Sequence, residues 1–416
     1  MYREETARAY AKLIIRTGVN LQKGQLAILN APIENAEFAR MVLEEAYRAG
    51  ARDVLLRYFD DKASRLRYQY AHEDALTNVP AWKYTPIEEY AKAGAAYICI
   101  ESDDPDAFFG IDSERLGKGM NAEARAKKPF QRIFDKNEIQ WTVVAAAGRD
   151  WAKKVFPGVD EQWAIQKLWD AIYHTTRMDT PDPQKAWAEH SASLRQHCDF
   201  LNASGITRLH LENSLGTNLE IGLIPGAIWA GGSEKTVGGI EFEANMPTEE
   251  VFTAPHREKV NGKVVSTLPL NYQGVLIEDF WFVFRDGLIV EYGAKQGKAA
   301  LDQIFQDENC RRLGEIALVP YDSLVRQAQI LFYSTLFDEN ASCHMALGSA
   351  YTSSVAGGEK MSLAEKEQIG LNEAYSHIDF MFGSRDLRIT GYTEDGREIP
   401  LFRDGNWVSL EKEIFA

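Results

Sequence analysis

Between Arg312 and Ser384 the chain gathers residue types that hold metal ions. The stretch carries Glu315, Glu339, His344, His377 and Asp379, and two of the eight histidines of the whole chain lie in it. His377 and Asp379 are separated by one residue. In a strand, positions i and i+2 project to the same face. This imidazole and carboxylate would therefore stand side by side, while Ile378 and Phe380 turn into a core. Both groups suit a divalent ion. His344 lies five residues after Glu339, among small residues (Ala341, Ser342, Ala346, Gly348) that let a backbone come close to a site. A lone histidine in such a segment is more often structural, and the i, i+2 pair at 377 and 379 brings the metal reading level with the structural one. Glu315 follows Gly314 and leads into the apolar run 316–319. A glutamate at the head of a buried strand must be paired, protonated or metal-bound.

Other catalytic patterns fit less well. The chain contains no H-E-x-x-H and no G-x-S-x-G. Cys343 adjoins His344, but sequence neighbours do not face each other in a strand or helix, so Cys343 reads as a small buried residue. The adjacent pair Glu249 and Glu250 reads, by itself, as a solvated turn.

Four segments in order resemble the M29 family of metallo-aminopeptidases, the thermophilic aminopeptidase family. They are Asn-Met-Pro-Thr-Glu-Glu-Val-Phe-Thr-Ala-Pro-His (245–256), Arg-Leu-Gly-Glu-Ile-Ala-Leu-Val-Pro (312–320), Leu-Phe-Asp-Glu-Asn-Ala-Ser-Cys-His (336–344) and His-Ile-Asp-Phe-Met-Phe-Gly (377–383). The resemblance spans essentially the whole chain. It implies hydrolysis of the N-terminal residue from a peptide with a free N-terminus, at a dinuclear metal site. The ligands it implies are Glu250, Glu315, Glu339, His344, His377 and Asp379, with Glu315 bridging two ions. Six ligands, four of them carboxylates, suit two ions better than one tetrahedral zinc, and zinc, cobalt and manganese all accept such donors. On this reading Tyr351 donates a hydrogen bond to the oxyanion. A carboxylate, with Glu249, Glu250 and Glu315 as candidates, carries the proton to the leaving amine. The resemblance also implies a homodimer joined through its C-terminal domains. A second reading is a non-catalytic metal- or peptide-binding protein on the same scaffold.

The elements that must position these residues follow from length and periodicity. At 416 residues, two domains are expected. A hydrophobic content of 45% with 26% charged residues describes a soluble globular chain. The formal net charge of −15, without a dense Lys/Arg run, excludes nucleic acid as an expected partner. No apolar run is long enough to span a membrane, and the first residues do not resemble a signal peptide. Four cysteines without a C-x-x-C pair fit a reducing, cytoplasmic setting.

In the N-terminal half, strands 25–29, 54–59, 95–100 and 139–147 alternate with helices 4–17, 33–49 and 113–135. Gly50 caps the second helix, and Pro129 is a candidate break in the third. This alternation predicts a parallel sheet flanked by helices. No G-x-G-x-x-G follows a strand, so the half reads as a Rossmann-like scaffold without a nucleotide. Gly148 to Asp150 would lie at the carboxyl end of the fourth strand, where open α/β sheets bind ligands. The six tryptophans Trp82, Trp141, Trp151, Trp163, Trp169 and Trp187 read as core. Thr180-Pro-Asp-Pro183 marks the change of pattern and starts a helix over 184–201. Strands are then expected at 208–212, 218–223, 239–244, 275–283 and 288–292, with Arg285-Asp-Gly287 as a hairpin turn and helices at 299–310 and 363–375. The fold class is α/β: a Rossmann-like parallel-sheet domain over 1–204, then a mostly β (α+β), metal-binding catalytic domain over 205–416.

Overall fold

A computed structural model describes residues 4–272 and 275–409. The chain forms two compact units. One is built from the chain up to Glu189 with Ser233–Pro247 and Leu331–Ser334; the other from His190–Gly232, Thr248–Ile330 and the chain from Thr335 onward.

The first unit holds a five-stranded sheet. Its strands are β1 (Leu26–Pro32), β2 (Asp53–Phe59), β3 (Ala96–Glu101), β4 (Trp141–Ala145) and β5 (Asn245–Met246), in the order β2-β1-β3-β4-β5. Every pairing is parallel. Ile28, Leu29, Ile98, Ile100 and Val144 are fully buried, as expected for strands covered on both faces. The helix Ala36–Ala49 between β1 and β2 ends where Gly50 takes φ 100°, the left-handed cap that glycine adopts without strain. Ser113–Asp135 runs through Pro129 without a break. Phe130, Ile133 and Phe134 bury one face of it, and Phe134 packs edge-on against Tyr97 and Phe130. That burial outweighs the hydrogen bond the proline lacks. The tryptophan expectation holds in part. Trp151, Trp169 and Trp187 are buried, but Trp82 and Trp163 are exposed, and both sit on surface helical turns.

The second unit packs two antiparallel sheets. The larger has eight strands, from Leu288–Gly293 through Trp281–Arg285, Pro255–Val265, Asn218–Leu223, Ile206–Glu212, Arg388–Thr393 and Glu398–Arg403 to Asn406–Trp407. The smaller comprises β6 (Val251–Thr253), β7 (Leu313–Leu318), β8 (His344–Gly348) and β9 (His377–Met381), in that order. Leu209, Leu219, Ile221, Val260, Ile316, Met345 and Phe380 share one apolar core. Phe380 of β9 meets Phe282 of the larger sheet edge-on at 5.1 Å. The turn after Arg285 puts Asp286 at φ 48° and Gly287 at φ 76°, the two positive values a two-residue hairpin requires.

Three expectations are corrected. The strand expected over 275–283 is two strands, parted where Asp279 takes φ 47°. The helix expected over 363–375 ends at Ile369, because Gly370 turns left-handed at φ 87°. The strand expected over 239–244 shrinks to Glu241–Phe242, paired with Glu234–Lys235.

Candidate metal centre

The smaller sheet of the second unit sorts its side chains onto two faces. Across it, Ala317 pairs with His344, Glu315 with Ala346, Ala346 with Asp379 and Gly348 with His377. Directly paired residues project to the same face, so Glu315, His344, His377 and Asp379 share one side. Their neighbours there, Ala317, Ala346 and Gly348, are small and leave the room that larger side chains would fill. Ile316, Met345, Leu347, Ile378 and Phe380 take the other side and enter the core.

Glu315 reaches its face through an irregularity. Leu313 pairs with Leu347, but Glu315 pairs with Ala346, so Gly314 is an extra residue in β7. In an unbroken strand Leu313 and Glu315 would share a face. The bulge reverses the alternation, sending Leu313 into the core and Glu315 to the opposite side. Glu250 arrives from the edge: β6 pairs Phe252 with Ala317, and Glu250, two residues before Phe252, falls on the same side. Glu339 lies on the single helical turn Glu339–Ala341 that precedes β8.

The six side chains converge. Glu250, Glu315 and His344 form one set with donor atoms within 4.8 Å of one another; Glu315, His377 and Asp379 form a second; Glu339, His344 and Asp379 a third. His344 Nε2 is 3.0 Å from Glu250 Oε2 and 3.5 Å from Glu315 Oε1. His377 Nε2 is 3.4 Å from Glu315 Oε2 and 3.1 Å from Asp379 Oδ1. Each imidazole is oriented from behind. His344 Nδ1 lies 3.1 Å from the Ser342 carbonyl oxygen, and His377 Nδ1 lies 2.7 Å from that of Ser349. A carbonyl only accepts, so Nδ1 carries the proton and donates, and Nε2 is left to face the carboxylates.

Burial makes this cluster electrostatically demanding. Glu250, Glu315 and His344 are buried. Burial pushes the Glu315 carboxyl above its ordinary range, against the pull of His344. Glu339 lies well above it, through burial and then the charges of Asp379 and Glu250. Burial opposes protonation of both imidazoles, yet Glu250 and Glu315 carry His344 well above its usual value, and Asp379 and Glu315 bring His377 to about 9. Asp379 is lowered: burial disfavours its charge, and His377 outweighs that. Four carboxylates around two imidazoles thus require added positive charge, from protons or from metal ions. Glu250 Oε2 and Glu315 Oε2 are buried and accept no hydrogen bond among the described residues. Oxygen and nitrogen donors with uncommitted lone pairs fit a divalent ion.

Tyr351 lies beside the cluster, its ring 4.8 Å from that of His377 and 6.0 Å from that of Phe252. Its phenol is held protonated by burial and then by the nearby carboxylates, Glu315 foremost, although 51% of the residue's surface remains open. Glu249 is buried, contrary to a solvated turn. It belongs to none of the three sets, and its Oε2 lies 3.8 Å from His190 Nε2. Sequence reasoning missed Asn340. This fully buried side chain accepts from the Glu249 N–H at 2.7 Å and donates to the Leu336 carbonyl at 2.9 Å. It ties the glutamate pair to the turn that carries Glu339. An asparagine after a glutamate carries no signal of such a role. Cys343 is inert: burial pushes its thiol up to about 12.

Carboxylates and oriented imidazoles clustered on one sheet face are the donor set of a metal-binding protein. The chain matches the description "thermophilic metalloprotease (M29)" over residues 3–407. It is 44% identical over 400 residues to aminopeptidase AmpS of Bacillus subtilis, covering 96% of this chain and 97% of that one. It is 41% identical over 399 residues to aminopeptidase T of Thermus thermophilus, covering 96% and 97%. The solved structure of wild-type AmpT from Thermus thermophilus superposes with a TM-score of 0.92 at 40% identity, over 98% of this chain and 100% of that one. The chain belongs to the M29 family of thermophilic metalloproteases and is a metallo-aminopeptidase.

Proposed function

We propose that this chain removes the N-terminal residue from peptides at a centre of two divalent ions held by Glu250, Glu315, Glu339, His344, His377 and Asp379. The observation that carries the reading is the placement of Glu315. Its two oxygens approach the free nitrogens of different histidines, so it belongs to two donor sets at once. A carboxylate so placed can bridge two ions. Zinc, cobalt and manganese all suit nitrogen and oxygen donors without sulfur. Ions bound there would supply Lewis acidity, polarising the scissile carbonyl and lowering the pKa of a water.

The chain's own residues do the remaining work. His344 and His377, fixed through Nδ1, keep Nε2 turned toward the carboxylates. Tyr351 keeps its proton and can donate to an oxygen that gains negative charge. With Glu250 and Glu315 engaged as ligands, Glu249 is the carboxylate left to carry a proton to the leaving amine, and Asn340 fixes its backbone. The names of the relatives, all aminopeptidases, support a peptide with a free N-terminus as the substrate. The working form on this reading is a homodimer in the cytoplasm, where four unpaired cysteines persist. Among the described residues no helix is long and apolar enough to cross a membrane.

The test is metal removal and return. Exhaustive chelation should abolish arylamine release from an aminoacyl-arylamide, readded metal should restore it at two ions per chain, and an N-acetylated analogue should be spared. Undiminished hydrolysis after chelation, or cleavage of the blocked analogue at the same rate, contradicts the proposal. Light scattering at the monomer mass at all concentrations contradicts the dimer.

A further inference from the structure

The first unit carries a cavity that the peptidase reading does not use. In the order β2-β1-β3-β4-β5, β2 lies on one side of β1 and β3 on the other. Open parallel sheets bind ligands outside the carboxyl ends of their strands at such a switch point. A cavity of about 170 Å³ lies there, lined by residues that follow β1 (Glu34), β2 (Asp61), β3 (Ser102, Asp104) and β4 (Asp150).

Ser102 points to a ligand independently of the charges. It lines the cavity, is 3% exposed, and its Oγ has no hydrogen-bond partner among the described residues. A hydroxyl buried in that state is costly unless something binds it. Both Ser102 and Glu34 close on the backbone of Gly148: a Cβ there would lie 2.2 Å from Ser102 Oγ and 2.2 Å from Glu34 Oε1. The hydroxyl and the carboxylate flank the same bare backbone.

Charge sets the class of ligand. Of the two basic side chains in the wall, Lys62 is paired with Asp150 at 2.8 Å and Arg65 donates to the Ala107 carbonyl at 2.6 Å. Against these two cations the wall carries five carboxylates, those of Glu34, Asp60, Asp61, Asp104 and Asp150. Burial raises both Glu34 and Asp61, a strain that a bound cation relieves. A bare metal ion does not fit. Among the described residues, sets of three His, Cys, Asp or Glu donors within 4.8 Å occur only in the second unit's cluster. The volume also holds many times the space of one water.

We propose that this cavity binds a small organic cation, an amine or guanidine, with Glu34 as its counter-charge and the Ser102 hydroxyl as its hydrogen-bond acceptor. The inference stands apart from the peptidase reading. Titration calorimetry of the metal-loaded full chain with 1,4-diaminobutane tests it, with glutarate and magnesium as controls. The diamine should bind saturably and the controls should not. Glu34→Gln should weaken binding on the order of tenfold by removing a charge-assisted contact. Gly148→Ala should weaken it by pushing the Ser102 and Glu34 side chains out of place, and Glu34→Gln keeps the test open if that variant fails to fold. His377→Ala, altered only in the other cluster, should bind as the parent does. Absence of saturable diamine binding, equal binding of glutarate or magnesium, unchanged affinity in Glu34→Gln, or loss in His377→Ala would each overturn the proposal.

Discussion

His377 and Tyr351 touch ring to ring yet have separable duties. His377 presents Nε2 to Glu315 and Asp379. His377→Ala removes the one nitrogen donor from the set it forms with Glu315 and Asp379, so metal content should fall and turnover with it. Ile378 and Phe380, on the core side of the same strand, should keep the far-ultraviolet circular dichroism at the parent's. Tyr351→Phe removes one hydroxyl and no donor from the three sets. It should keep the metal and lose on the order of a hundredfold in kcat, about 3 kcal/mol. Metal lost by Tyr351→Phe, or turnover at the parent rate, would refute the role given to the hydroxyl. Asn340→Ala leaves the Glu249 N–H buried without its acceptor. A loss of about 1–3 kcal/mol should show in denaturant unfolding, and an unchanged midpoint would mean the contact is dispensable. Types and spacing exposed His377 and Asp379 in the sequence, because a two-residue period survives in a strand. They did not expose Asn340, whose side chain reaches partners 4 and 91 positions away besides the adjacent Glu339.

At the scale of elements, the bulge at Gly314 decides which face Glu315 occupies. A Cβ there would lie 2.4 Å from the Ser349 oxygen and 2.5 Å from the Gly348 oxygen, both backbone atoms that cannot swing aside. The Ser349 oxygen also accepts the hydrogen bond of His377 Nδ1. Gly314→Ala should therefore cost about 1–3 kcal/mol in overpacking and also reduce metal occupancy, by displacing the carbonyl that orients His377. Parent-level occupancy at reduced stability would separate the bulge from the ligand set. The apolar run 316–319 announced β7 but not its bulge, since a period of two sets Leu313 and Glu315 on one face. Regular elements were legible where pattern and turn chemistry agreed, as at Gly50 and at Arg285-Asp-Gly287. The strand Pro255–Val265 was not legible. Its charged residues and the register shift between Pro255 and Val260 erase the alternation. The strand β5 is two residues long, too short to carry a pattern at all.

At the scale of the molecule, metal and protons compete to supply the same positive charge, and this fixes how stability should depend on pH. In the metal-free protein, folding raises His377 to about 9, raises His344 well above its usual value, and raises Glu315 and Glu339. A group whose folded pKa exceeds its unfolded value binds more protons in the folded state, so its contribution is full below the unfolded pKa and is lost as pH rises through the folded one. For His377 that window runs from about 6.5, the ordinary imidazole value, to about 9. Asp379 has the opposite sign, but its contribution is already full above the ordinary carboxylate range and stays constant across this window. The metal-free protein should therefore lose stability between these limits. Metal binding needs neutral imidazoles and ionised carboxylates, so it strengthens as the same protons leave and offsets in the loaded protein what the metal-free one loses. The difference in Tm between the two forms should widen steadily from about pH 6.5 to about pH 9. Calorimetric scans of both forms across that range measure it, and His377→Gln, which removes the group with the defined window, should flatten the slope. A difference that stays constant or narrows with rising pH would mean that the buried charge is balanced by something other than protons.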